Sequence, residues 1–202
     1  MGYILSKRYV AVSVTNVYIG VIKRKNKTEP VPMVAQVYCI RVSITGYRGD
    51  IILDTFVRPT HRIEDYRTAE TGIQYSHLAN APPFQDVQRR VSHIIADKII
   101  IGHCLWTFLS VLGLVHPAID TRDLALFRPL RKKLKSRSII GLPTLVHLFM
   151  GRNVGLDYEN SVELVRAGLD LFRSVEDLFE GIIKTGAWPC DLPPSNYAAY
   201  YT

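Results

Sequence analysis

Tyr9-Val10-Ala11-Val12-Ser13-Val14-Thr15-Asn16-Val17-Tyr18-Ile19-Gly20-Val21-Ile22 is rich in β-branched and aromatic residues, with small polar ones interleaved. That composition reads as one strand or a bent pair. Outward from it lie a polar loop (residues 23–32) and a second β-branched stretch (33–44). Gly46 with Gly49-Asp50 marks a turn, and a third stretch (51–57) is stopped by Arg58-Pro59. Three strands on short connections predict an antiparallel meander.

Past residue 60 the period changes. Phe84, Val87, Val91, Ile94 and Ile95 recur at helical spacing over residues 84–96. Residues 98–101 form a short apolar run suited to a buried strand, and residues 104–114 read as a helix. A further short strand is expected at 118–121, and a helix over 142–150 starts near Pro143 and closes on Gly151. Residues 162–183 carry Val165, Leu169, Phe172, Leu178 and Ile182 on one helical face. The expected class is α/β: a mixed five-stranded sheet, its first three strands antiparallel, flanked by helices. We expect one domain over residues 1–184, followed by an aromatic and proline-rich tail over 185–202.

With 202 residues, 48% of them hydrophobic and 21% charged, the chain has the composition of a folded domain. Cys39, Cys104 and Cys190 are few, odd in number and far apart, which excludes a disulfide scaffold or zinc ribbon. No apolar run approaches a membrane span and no signal-peptide pattern opens the chain. An intracellular, preferentially nuclear location is the expectation. The net charge of +7 is local. Lys23, Arg24, Lys25 and Lys27 form one cluster; Arg128, Arg131, Lys132, Lys133, Lys135 and Arg137 form another with no acid among them. Clustered cations attract polyanions, so these ten residues are the candidate nucleic-acid contacts.

Short stretches met in order along the chain carry a resemblance. They include Asp65-Tyr66-Arg67-Thr68, Ala81-Pro82-Pro83-Phe84, Ile101-Gly102-His103, His116-Pro117, Arg128-Pro129-Leu130-Arg131-Lys132 and Ser161-Val162-Glu163. In order and spacing the chain resembles the DEDDh 3′–5′ exonucleases, in the branch of the interferon-induced and ribosome-maturation RNA exonucleases. The resemblance implies a ribonuclease H-like fold, with four carboxylates holding two divalent metals and a histidine activating water. At the five matching positions stand Ser13, Thr15, Phe108, Glu159 and Leu164. Two divalent ions need anionic oxygen ligands, which neutral hydroxyls and apolar groups do not supply.

From these replacements the expectation is a catalytically degenerate member, without metal or cofactor. It would act as a protein-interaction scaffold in an RNA-linked complex. RNA binding without cleavage and a rearranged metal-dependent nuclease stand as alternatives. Neither a membrane nor a small-molecule substrate is expected. His103 reads as structural, Cys104 as a buried core thiol, and Tyr66-Arg67-Thr68 as structural. His77, His93, His116 and His147 show no metal-ligand spacing. Trp188, Tyr197, Tyr200 and Tyr201 are the candidate partner contacts, with packing on the domain as the competing reading.

Overall fold

A computed structural model describes residues 8–20, 36–136 and 138–202. The sequence-predicted stretches become β1 (Tyr9–Gly20), β2 (Gln36–Gly46), β3 (Ile51–Phe56), β4 (Ile99–Gly102) and β5 (Thr121–Asp123). They form one sheet in the order β3-β2-β1-β4-β5. The β1/β2 and β2/β3 pairs are antiparallel, whereas β1/β4 and β4/β5 are parallel. This is the mixed five-stranded sheet expected from the order of patterns.

Side chains alternate across a strand, so β1 feeds two cores. Val10 and Val12 join Ile40, Val42, Ile44 and Ile100 on one face. Tyr9 and Ala11 join Ile101, Leu169 and Phe172 on the other. On the first face pack α3 (Phe84–Ile95) and α4 (Leu105–Leu112), which bury Val87, Val91, Leu105, Phe108 and Leu109. The second face is covered by α6 (Leu142–Met150) and the long α7 (Ser161–Lys184). β4 is buried at all four residues, which explains its unbroken Ile-Ile-Ile run.

Three short helices add to the expected set: α1 (Thr68–Thr71), α2 (Tyr75–Leu78) and α5 (Arg128–Lys133). The strand expected at 118–121 is a 3₁₀ turn (Ala118–Asp120), with β5 starting where it ends. The tail folds back onto the domain. Cys190 bridges Phe127 and Tyr201 bridges His116, and the Arg128 N–H donates to the Pro189 carbonyl at 3.0 Å. Trp188 and Tyr197 pack on the α7-side core, Tyr200 on the opposite core and Tyr201 on both. These four aromatics, expected as partner contacts, are thus half-buried against their own chain. Large apolar rings gain more from the nearest available core than from solvent, which is why the packing reading prevails.

Candidate functional site: a cleft at the carboxyl ends of the parallel strands

In an open sheet with parallel strands, the strands' carboxyl ends and the loops leaving them frame the natural crevice. Here β1 and β4 run side by side and open into a cleft of about 300 Å³ between the sheet, α4, the start of α6 and the first turns of α7. Four of the five family positions face it: Ser13, Phe108, Glu159 and Leu164 all line the cavity. Thr15 does not. It is 2% exposed and is absent from the lining, whereas its neighbour Asn16 is present.

A register shift explains the exchange. Thr15 pairs with Arg41 but Asn16 pairs with Cys39, so β2 carries one extra residue at this level. Such a bulge re-aims the side chains beyond it. Before it Val10 and Val12 point into the first core; after it Val17 does. Asn16 therefore turns toward the cavity, where its Oδ1 is buried and makes no hydrogen bond. Sequence alternation alone did not show Asn16, because the shift arises on the partner strand.

Glu159, at the family's histidine position, is held. Arg67 donates to its Oε1 at 2.9 Å and, through its other terminal nitrogen, to the Asn16 carbonyl at 3.3 Å. The Glu159 N–H donates to the Glu70 carbonyl. Arg67, read from sequence as structural, thus ties the end of β1 to the entry of α7. It joins residues far apart in the chain, so no local motif announces it. Glu163 turns away and accepts from the Gly155 N–H at 3.1 Å, in keeping with its helical offset from Leu164.

His103 lines the cleft, and its Nε2 donates to the Ile140 carbonyl at 2.7 Å. Burial holds its pKa below the ordinary value against the pull of that bond. It is a neutral ring pinning the segment before α6, as the structural reading expects. Cys104 differs from expectation: it is half-buried and lines the cavity, in a left-handed backbone conformation at φ 57°. Burial, and secondarily the charge of Asp123, pushes its thiol well above the usual range. It is therefore a poor nucleophile at neutral pH.

The basic cluster lies at a second concavity, of about 490 Å³, lined by Arg128, Arg131, Lys132, Lys135, Ser136 and Asp191. Lys133 departs from the group and sits over the Phe149 ring, 5.0 Å from its centroid. Lys23, Arg24, Lys25, Lys27 and Arg137 lie outside the described residues. Asp191 was not visible as a site residue from sequence; it meets Arg128 and Arg131 only because the tail folds back.

The residues of the cleft do not fit a pair of divalent ions. Among the described residues Glu159 is its one carboxylate, and it is engaged by Arg67. Among the described residues no group of three or more His, Cys, Asp or Glu is placed to hold a metal. Phe108 and Leu164 present hydrocarbon where an ion requires oxygen.

Residues 35–155 match the family described as Exonuclease. The chain belongs to the exonuclease family. Among its relatives is RNA exonuclease 4 of Cryptococcus neoformans var. neoformans serotype D, 40% identical over 133 residues, which cover 66% of this chain and 32% of that one. RNA exonuclease 4 of Mycosarcoma maydis is 37% identical over 147 residues, 72% of this chain and 39% of the relative. The Xenopus tropicalis protein of that name is 34% identical over 147 residues, 71% and 34%. The chain thus spans about a third of the length of these relatives. In fold it is similar to the Saccharomyces cerevisiae PAN2 pseudoubiquitin-hydrolase-RNase module, with TM-score 0.72 and 21% identity over 90% of this chain and 30% of that chain. The same yeast module in complex with AAUUAA RNA gives TM-score 0.69 at 21% identity, over 89% and 30%.

These relatives overturn the expectation of a non-enzymatic scaffold. It rested on five replaced positions, whereas the similarity to proteins named as RNA exonucleases runs through 133–147 residues and points to an enzyme. No helix among the described residues is long and apolar enough to cross a membrane.

Proposed function

We propose that this domain is an RNA exonuclease and that the cleft receives the 3′ end of a single RNA strand. Similarity to the proteins named RNA exonuclease 4 carries the reading. The cleft supports it by position, at the carboxyl ends of two parallel strands. Leu142 and Pro143 form an apolar wall for a base. The donor set at hand does not fit a divalent ion, and the support for activity lies in the relatives.

Incubating the protein with a 5′-labelled single-stranded RNA in Mg²⁺ or Mn²⁺ tests it. A ladder of products shortened from the 3′ end is expected. Label that stays at full length, as in a no-protein control, contradicts the proposal.

A further inference from the structure

The concavity at α5 brings four cations and one carboxylate together, and the way they are held distinguishes it from a merely solvated basic face. Arg128 and Arg131 lie three residues apart, on one side of a short helix. Both guanidiniums are pinned by Asp191: Arg128 Nε donates to Oδ1 at 2.9 Å and Arg131 donates to Oδ2. Arg128 also reaches the Trp188 carbonyl at 3.4 Å. Asp191 is itself fixed, since its N–H donates to the Leu126 carbonyl at 2.9 Å. Two planar donor groups are therefore ordered before any ligand arrives, which lowers the entropy lost on binding.

The chain then turns back on itself. Lys135 adopts φ 51°, an uncommon conformation for a residue with a side chain, and the Ser136 N–H donates to the Arg131 carbonyl at 3.2 Å. This turn brings Lys135 and Ser136 to line the same concavity as Arg128 and Lys132. A single carboxylate among four cations leaves an excess of positive charge, and the helix carboxyl end accounts for only part of that tolerance. Ser136 is five steps along the chain from Gly141, which lines the cleft, so the two sites are at most roughly 18 Å apart along the backbone. A single strand seated in the cleft reaches that far within a few nucleotides.

We infer that this concavity binds the phosphodiester groups of a polynucleotide strand whose 3′ end occupies the cleft, with Lys132 and Lys135 as the ionic contacts beside the Asp191-braced arginines. The identity of the strand rests on the RNA reading above; the site itself does not depend on cleavage. Binding is therefore measured in EDTA, by fluorescence anisotropy of a labelled 12-nucleotide single-stranded RNA at several salt concentrations. The variants are Lys132→Gln/Lys135→Gln, both exposed side chains that leave the arginine brace intact, and Arg89→Gln/Arg90→Gln on the exposed side of α3 as a control.

The first variant is expected to bind about tenfold more weakly at low salt. Its plot of log affinity against log salt should flatten by about 1.4, two contacts at roughly 0.7 each. The control should retain the wild-type slope. Unchanged slope in the first variant, an equal loss in the control, or equally tight capture of a poly-glutamate peptide would each overturn the site. Normal shortening of RNA combined with unchanged binding by the Lys132/Lys135 variant sinks the site and leaves the exonuclease reading. The flattened slope without shortening does the reverse.

Discussion

Asp123 is wholly buried at the end of β5, where its carboxylate accepts from the N–H groups of Cys104, Leu105 and Ala125. Burial outweighs those donors and pushes its pKa up from 3.8 to about 6. A raised acid means the folded state holds the proton more tightly than the unfolded one. Its contribution to stability is complete below about 3.8 and is lost as pH rises through about 6. Asp123→Asn removes the titration, so calorimetric stability of wild type minus variant should fall by a few kcal/mol between those values; parallel curves refute the assignment. Asp54 acts with the opposite sign and in a lower window. Its bonds with Arg41 hold its pKa below 3.8, so stability tied to it is lost only under stronger acid. Arg122 is the other buried charge of β5. It is 4% exposed by side chain, bound in bidentate fashion by Glu180 of α7, and lies 5.5 Å from the Phe179 ring centroid. Glu180→Ala leaves a guanidinium stranded and should cost about 3 kcal/mol in urea denaturation. Neither Arg122 nor Asp123 stands out in the sequence, because the polar Thr121-Arg122-Asp123 run hides a buried strand.

At the scale of elements, α7 starts on Asn160, whose side chain accepts from the N–H groups of Val162 and Glu163. Asn160→Ala should cost about 1 kcal/mol by the same denaturation measurement, and no change would show that the cap is dispensable. The tail is the second element whose worth can be measured. Ending the chain at Lys184 strips Cys190, Trp188, Tyr197 and Tyr201 from the cores and should lower the thermal midpoint by about 10 °C. An unaltered midpoint would show that the tail's contacts are incidental. The long elements were legible in the sequence: β1, β2 and β3 by their β-branched and aromatic composition, and α3 and α7 by a helical period of 3.6. The single-turn helices α1 and α2 fall below any periodic window, and the tail's two readings are distinguished by contacts with distant residues such as 116 and 127. Much of the site was hidden for a similar reason. Asn16, Arg67 and Asp191 acquire roles through a partner-strand bulge or through pairings 60 or more residues apart.

For the whole molecule, the sheet order places one crevice at the carboxyl ends of β1 and β4, and the α5 concavity lies a short backbone distance away. The proposed function seats the end of an RNA strand in that crevice. The cleft that results is apolar and nearly free of acid. Where the end of a bound strand lies tests the proposed reading. Photocrosslinking of an RNA bearing 4-thiouridine at its 3′ terminus, followed by mass spectrometry of the adducts, measures this directly. We predict adducts on residues 101–108, 141–143 or 159–168, the segments that frame the cleft. Adducts confined to other surfaces, such as α3, would contradict it.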